Sequence, residues 1–355
     1  MISEISQINL TKKQELKRKE LLKREVKQLN LTDSKSIIQL IDSFTEASFE
    51  ARNLGRGSKL YFKHLKKKTT IIWSLSGSLF SAGLRQIVID SLRKNIVDAL
   101  VCTGALFEQD MLEALGHKHY ICSPKQNDAE LQALYIDRIY DHLLDERALR
   151  QVDLTFKEIS KSVSAGNYSS REFMDICGKW LHENKKTKDS VMQAAYEKKV
   201  PIFIPAINDS SIGIGLAMMQ NEKESKVMTI DSIKDLKEIA LMKSKCGESG
   251  IIIVGGGVPK NYSQDSVIMA EMLGFDVNKH KFGIQISTAD IRDGGLSGST
   301  IKEAISWGKN DKGIEDVMIW GEATVFFPLL INYIFQKTEN LKIKEKKLNN
   351  IFKST

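Results

Sequence analysis

The sequence predicts an α/β fold: a Rossmann-like parallel sheet covered by helices on both faces, with an N-terminal helical extension. Three observations lead there. From Thr69 onward, short apolar runs alternate with helical patterns, as parallel strands with crossover helices require. Several of those runs end in small or polar residues (SGSLFSAG, CTGA, NDSS, GGG, STAD and GEA), which suits turns at one sheet edge. Finally, 355 residues with 42% hydrophobic and 27% charged content suffice for a large soluble core.

Taken in order, residues 11–29 read as a charged helix. Residues 35–65 read as a longer helical stretch, with Ile37, Ile38, Leu40, Ile41 and Phe44 on its apolar side. Gly55 and Gly57 allow a bend at 53–58. IIWSLS (71–76) is a strand, GSLFSAG (77–83) a small-residue turn and LRQIVIDSLRK (84–94) a helix. DALVCTGA (98–105) is the next strand, followed by a helix at 107–115 and a short strand at 119–123. Residues 124–200 read as mostly helical and polar, with a Lys-rich loop at 185–188. Strands follow at IFIPAIND (202–209), IIIVGGGV (251–258), GIQIST (283–288) and VMIWGEA (317–323), and an apolar helix, VFFPLLINYIF (325–335), closes the pattern. The expected organisation is a helical region at 1–66, an α/β domain at 67–335 and a basic tail at 336–355.

Composition narrows the function classes. No apolar run reaches the roughly 18 residues of a membrane span, and the first 20 residues lack the apolar centre of a signal peptide. The four cysteines form no CxxC. The expectation is a cytoplasmic protein with reduced thiols and no metal site. The net charge of +7 sits at the ends: residues 11–27 hold eight Lys/Arg against three Glu, and residues 336–355 hold six Lys against two Glu. The remainder therefore sums to about −2, which argues against a nucleic-acid groove and for solvated or frayed ends.

Ile301 to Lys309 (IKEAISWGK) reads as one amphipathic helix, with Ile301, Ala304 and Ile305 inward and Glu303 and Trp307 four apart on one face. Lys309 follows Gly308, where the helix can stop. A carboxylate, an indole and an amine are thereby presented together. By spacing alone, a core Trp beside a solvated Lys explains this as well.

The longer motifs decide between those readings. From about Asp42 to Pro328 the chain resembles deoxyhypusine synthase, most strongly in IIIVGGGVPKN (251–261), STADIRDGGLSG (287–298) and EAISWGK (303–309). Support comes from SGSLFSAGLRQ (76–86), VDALVCTGALFEQD (97–110), FIPAINDSSIG (203–213) and WGEATVFFPLL (320–330). That family moves a butylamine group from spermidine to a lysine of a translation factor, using NAD. The resemblance implies Lys309 as the nucleophile that captures an oxidised amine as an imine, Trp307 as a π face for a cationic alkylamine, and Glu303 as a carboxylate for an ammonium.

The same resemblance implies an NAD site made of Ser78, Ser81, Thr103, Gly104, Ala105, Glu108, Gln109, Asp209, Gly256, Gly257, Thr288, Ala289, Asp293, Glu322 and Ala323. Ser78 stands where the family has Asn, Gln109 where it has a second acid, and Glu322 where it has Asp. The amine site, with Ser211, departs further: Ile214 and Leu296 replace two Asp, Asn261 replaces a His, and Asp265 replaces an Asn. Glu303 and Asp265 are left to hold one amine end, while the distal end meets an apolar wall. Three functions follow. The first is NAD-dependent aminoalkyl transfer through a Lys309 imine, from a polyamine or related amine and with a protein lysine as one acceptor. The second is true deoxyhypusine or homospermidine synthesis from spermidine. The third is a non-catalytic NAD-binding paralogue. The family also implies a homotetramer built as a dimer of dimers, while the charge distribution and the lack of a long apolar run lead to the expectation of no nucleic-acid or membrane partner.

Overall fold

The computed structural model describes residues 10–184, 189–222 and 227–354. The expected loop at 185–188 lies outside the described residues. At its centre is a parallel sheet of six strands: β1 (Thr70–Leu75), β2 (Ala99–Cys102), β3 (Ile202–Phe203), β4 (Ser249–Val254), β5 (His280–Ser287) and β6 (Asn310–Trp320). Numbered within this sheet, their spatial order is 3-2-1-4-5-6. That is the doubly wound order, whose direction of winding reverses between β1 and β4. In register, Leu75 lies opposite both Cys102 and Val254, and Ser287 lies opposite Trp320. The turns after these strands therefore share one edge.

Strand periodicity explains the two covered faces. Ile71, Trp73, Leu75, Leu100 and Cys102 point into the larger core. Ile72, Ala99 and Val101 point the other way, into a smaller one. The helices are α1 (Lys12–Leu21), α2 (Ile37–Phe44), α3 (Phe49–Lys66), α4 (Arg85–Arg93), α5 (Gly104–Ala114), α6 (Asp128–Ala133), α7 (Glu146–Lys161), α8 (Ser170–Glu183), α9 (Val191–Lys198), α10 (Ser211–Glu222), α11 (Ser232–Lys245), α12 (Gly257–Met272) and α13 (Ala323–Lys337). Helices α3 and α13 pack on β5, with α3 extending over β6, while α12 packs on β1, β2 and β4.

Several expectations are corrected. The charged N-terminal helix is only α1, capped by Thr11 and burying nothing. The break in the 35–65 stretch falls at Thr45–Ser48, and α3 runs unbroken through Gly55 and Gly57. Those glycines serve close packing: a Cβ on Gly55 would stand 2.8 Å from the Thr45 side chain, and one on Gly57 would stand 3.3 Å from Ile319. The short strand near 119–123 is Tyr120–Ile121, which joins a separate antiparallel hairpin of Ile136–Ile139 and His142–Asp145. Residues 124–200 therefore contain strands as well as helices.

The basic tail is not a frayed end. Leu348 is buried in the smaller core. The Asn349 side chain accepts a hydrogen bond from Arg171 and donates one to Asp175, each at 2.8 Å. The Phe352 ring lies 6.4 Å from that of Phe203 and 4.1 Å beneath the Arg171 guanidinium. Lys346 pairs with buried Asp98 at 3.1 Å.

Candidate active site

Where the winding reverses, a cavity of about 600 Å³ opens beyond the strand ends. Of the residues expected to hold a cofactor, Ser78, Gly256, Thr288, Ala289, Glu322 and Ala323 line it. Its turns are built by local chemistry. Gly77 (φ +87°) and Gly257 (φ +61°) take left-handed backbone, with open space where a Cβ would stand. The Ser76 hydroxyl accepts the Gly256 N–H at 2.8 Å, and the Ser297 hydroxyl accepts the Gly257 N–H at 3.1 Å. Glu322 caps α13 by accepting the Thr324 N–H at 2.8 Å.

Sequence reasoning missed the cavity's outer wall. Ile139, Tyr140, Asp141 and His142, from the antiparallel hairpin, line it. His142 Nε2 lies 2.9 Å from the Ser81 hydroxyl. No spacing signal in the chain links His142 to Ser81, 61 residues earlier.

The other expected cofactor residues group elsewhere. At the β2 and β3 ends, Gly104 sits so close to Ser210 that a Cβ would stand 2.4 Å from its hydroxyl. Glu108 accepts the Ser211 N–H at 2.9 Å, and burial, with Asp153 and Asp209 nearby, pushes its carboxyl above the usual range. Asp153 is a further residue that sequence reasoning missed; its Oδ1 is buried with no hydrogen-bond partner, as is Thr103 Oγ1 in the neighbouring turn before Ala105. Gln109 braces the first turn: its Oε1 accepts the Ser81 N–H at 2.9 Å. Asp209 is exposed, and Asp293 caps a turn by accepting the Gly295 N–H at 2.7 Å.

The 301–309 segment is not one helix. It holds a single 3-10 turn, Glu303–Ile305, with Ile301 and Ala304 buried and Gly308 at φ +76°. Asn310 donates its side-chain amide to the Ile301 carbonyl at 2.7 Å, taking an acceptor that helix propagation needs. Trp307 is 67% exposed and does not enclose the amine. Ile214 (50%) and Leu296 (44%) are likewise open to solvent in the single chain rather than forming a buried wall.

Lys309 nevertheless has a built surround. Its side chain is only 12% exposed. Nζ donates to Asn261 Oδ1 at 2.9 Å, lies 2.8 Å from Asp265 Oδ1, and stands 5.3 Å from the Trp307 ring centroid. Asn261 also donates to Asp265 Oδ2 at 2.7 Å, which closes a ring of three side chains. Next in sequence, Lys260 is fully buried; Nζ reaches Gln285 Oε1 at 3.0 Å and the Leu296 carbonyl at 2.8 Å. Burial pushes the Lys260 ammonium down to about 8, with Glu303 opposing and Lys309 adding to the shift. Lys309 does not line the cavity; α12 joins the two. Its N-terminus borders the cavity, and Asn261 lies four residues past Gly257, about 6 Å along the axis.

This geometry coincides with family membership. The deoxyhypusine synthase family model matches residues 39–334. The chain belongs to the deoxyhypusine synthase family. A deoxyhypusine synthase-like protein of Chlorobaculum parvum is 45% identical over 319 residues, covering 89% of this chain and 91% of the relative. One from Coxiella burnetii is 42% identical over 342 residues, covering 95% and 96%. Among solved structures, an Entamoeba histolytica chain assigned as deoxyhypusine synthase superposes with a TM-score of 0.60 at 18% identity, covering 91% of this chain and 99% of its own. At that identity the likeness concerns the fold. Among the described residues, no helix is long and apolar enough to cross a membrane, and no cluster of side chains could hold a metal ion.

Proposed function

We propose that this deoxyhypusine synthase-like chain is an NAD-dependent aminoalkyltransferase that works through an imine on Lys309. The observation behind this reading is the enclosed Lys309 amine, held by the same helix, α12, whose N-terminus borders the switch-point cavity. A dinucleotide fits the residues present. The cavity lies within the usual ligand range, about 300–1,000 Å³. Space stands open beside Gly77 and Gly257, Thr103 Oγ1 lacks a partner, and α5, α12 and α13 all start at this edge. Helix N-termini favour the anionic pyrophosphate. Ser78, Gly256, Thr288, Ala289, Glu322 and Ala323 would hold the cofactor, which when bound accepts a hydride from the donor amine and later returns it.

The chain's own residues do the rest. Lys309 attacks the oxidised carbon, Trp307 offers its ring to a cationic alkylamine, and Glu303 offers a carboxylate at the entrance. Lys260 ties the loop at Leu296–Ser299 to α12 and so holds the segment whose Ser297 lines the cavity. The exposed Trp307, Ile214 and Leu296 are faces that a second copy would cover, and the homotetramer of paired dimers follows from family likeness. Donor amine and protein acceptor follow from family likeness alone.

The test is incubation with NAD and a panel of di- and polyamines, borohydride reduction and peptide mass mapping. The expected result is an aminoalkyl adduct on Lys309. Release of diaminopropane from spermidine would assign spermidine as donor. NAD binding without any adduct would replace this reading with a non-catalytic NAD-binding subunit.

A further inference from the structure

We propose that Asp265 is the proton acceptor for Lys309 rather than a clamp for the donor amine. This rests on the imine reading above. Both carboxylate oxygens are already engaged: Oδ1 lies 2.8 Å from Lys309 Nζ, and Oδ2 accepts from Asn261 at 2.7 Å. The carboxylate keeps lone pairs for a further donor, but its resting partner is the Lys309 amine. It stands within the hydrogen-bond reach that general-base catalysis needs. Asn261 grips both members of the pair, because residues four apart on α12 face the same way. It is a positioning residue. Glu303 is the less suitable base, since it is exposed and its carboxylate accepts the Thr300 N–H at 3.3 Å.

The step balances without a further reactant. The Lys309 ammonium passes one proton to Asp265. The freed Nζ lone pair attacks the carbon of the donor imine, and a C–N bond forms. Collapse breaks the bond to the departing amine nitrogen, which takes the proton back from Asp265. Lys309 is left as the new imine, and no electrons are gained or lost. Other charged groups near this segment are Lys260 from α12, which senses both Lys309 and Glu303, Glu303 itself, and Lys279, whose Nζ lies 3.7 Å from the point a Gly308 Cβ would occupy. Two of these three are cations, so Asp265 is the base placed to take the proton.

The experiment is the pH dependence of borohydride-trapped Lys309 adduct, with NAD and the donor found above, in the full-length protein, D265N and D265E. In D265N the rate is expected to fall on the order of 10²-fold or more at neutral pH. It should then climb about tenfold per pH unit, because only spontaneously neutral lysine reacts. The wild type should stay flat through neutrality, and D265E should recover part of the loss. A D265N profile with wild-type rate overturns the proposal and leaves the imine standing. A lower rate with an unchanged profile also overturns it, since a positioning role alone produces that. No adduct in the wild type overturns both the imine and this role. Thermal melting of D265N, expected to match the wild type, separates chemistry from misfolding.

Discussion

Lys309 illustrates how little of a reactive group's setting lies in its own neighbourhood of sequence. Trp307 and Glu303 stand beside it in the chain, yet both are exposed, and the groups that bind Nζ come from α12, 48 and 44 residues earlier. K309R keeps a cation for Asp265 but supplies no nucleophile. Its transfer activity should fall by about 10⁴-fold or more, with NAD binding retained, as measured by adduct mapping and equilibrium dialysis. A second residue-scale prediction concerns Asp235, in the first turn of α11. Burial pushes its carboxyl up to about 6, against hydrogen bonds from Ser170 and Arg171. An acid raised in the folded state contributes stability that is full below its unfolded value and lost as pH rises through the folded one. Urea denaturation from pH 4 to 6 should therefore show the wild type losing about 2 kcal/mol that D235N keeps.

At the scale of elements, periodicity located burial better than it located backbone geometry. The pattern of 301–309 correctly marked Ile301 and Ala304 as inward. It did not reveal that the segment must descend from the Gly-rich loop and join edge strand β6 within a few residues. A helix long enough to satisfy the pattern has no room. The same distinction holds in α3, where glycine suggested a bend and instead provides contact. G55A should destabilise the fold by about 1–3 kcal/mol in urea melts, because the new methyl meets Thr45 and the Ile41 carbonyl at under 3 Å. The hairpin carrying His142 escaped notice because its strands are short and only half-buried, without clean alternation.

Across the whole molecule, the two ends of the chain are alike in charge and opposite in role. Helix α1 buries no residue. The final turn of the chain completes the smaller core and satisfies Arg171. Deleting residues 348–355 should cost on the order of 3–5 kcal/mol, through exposed apolar surface and loss of the Asn349 and Phe352 contacts to Arg171, which keeps its ion pair with Glu238. Excising α1 should leave the melting curve nearly unchanged. Scanning calorimetry on the two truncations checks both statements. The sheet order places the cavity at the β1–β4 reversal and the Lys309 cluster beyond the first turn of α12, so one element links the two.

By itself the sequence determined the parallel sheet, the small-residue turns at its edge and the family. Those are properties of short stretches, where side-chain period, glycine placement and motif order are local facts. Only the tertiary structure decided that Asp265 and Asn261 clasp Lys309, that His142 walls the cavity, that Gln109 braces a turn, and that a lysine-rich tail belongs to the core. Each of those depends on which distant segments meet. That is set by how the helices cover the two faces of the sheet, and no charge count or spacing within one segment encodes it.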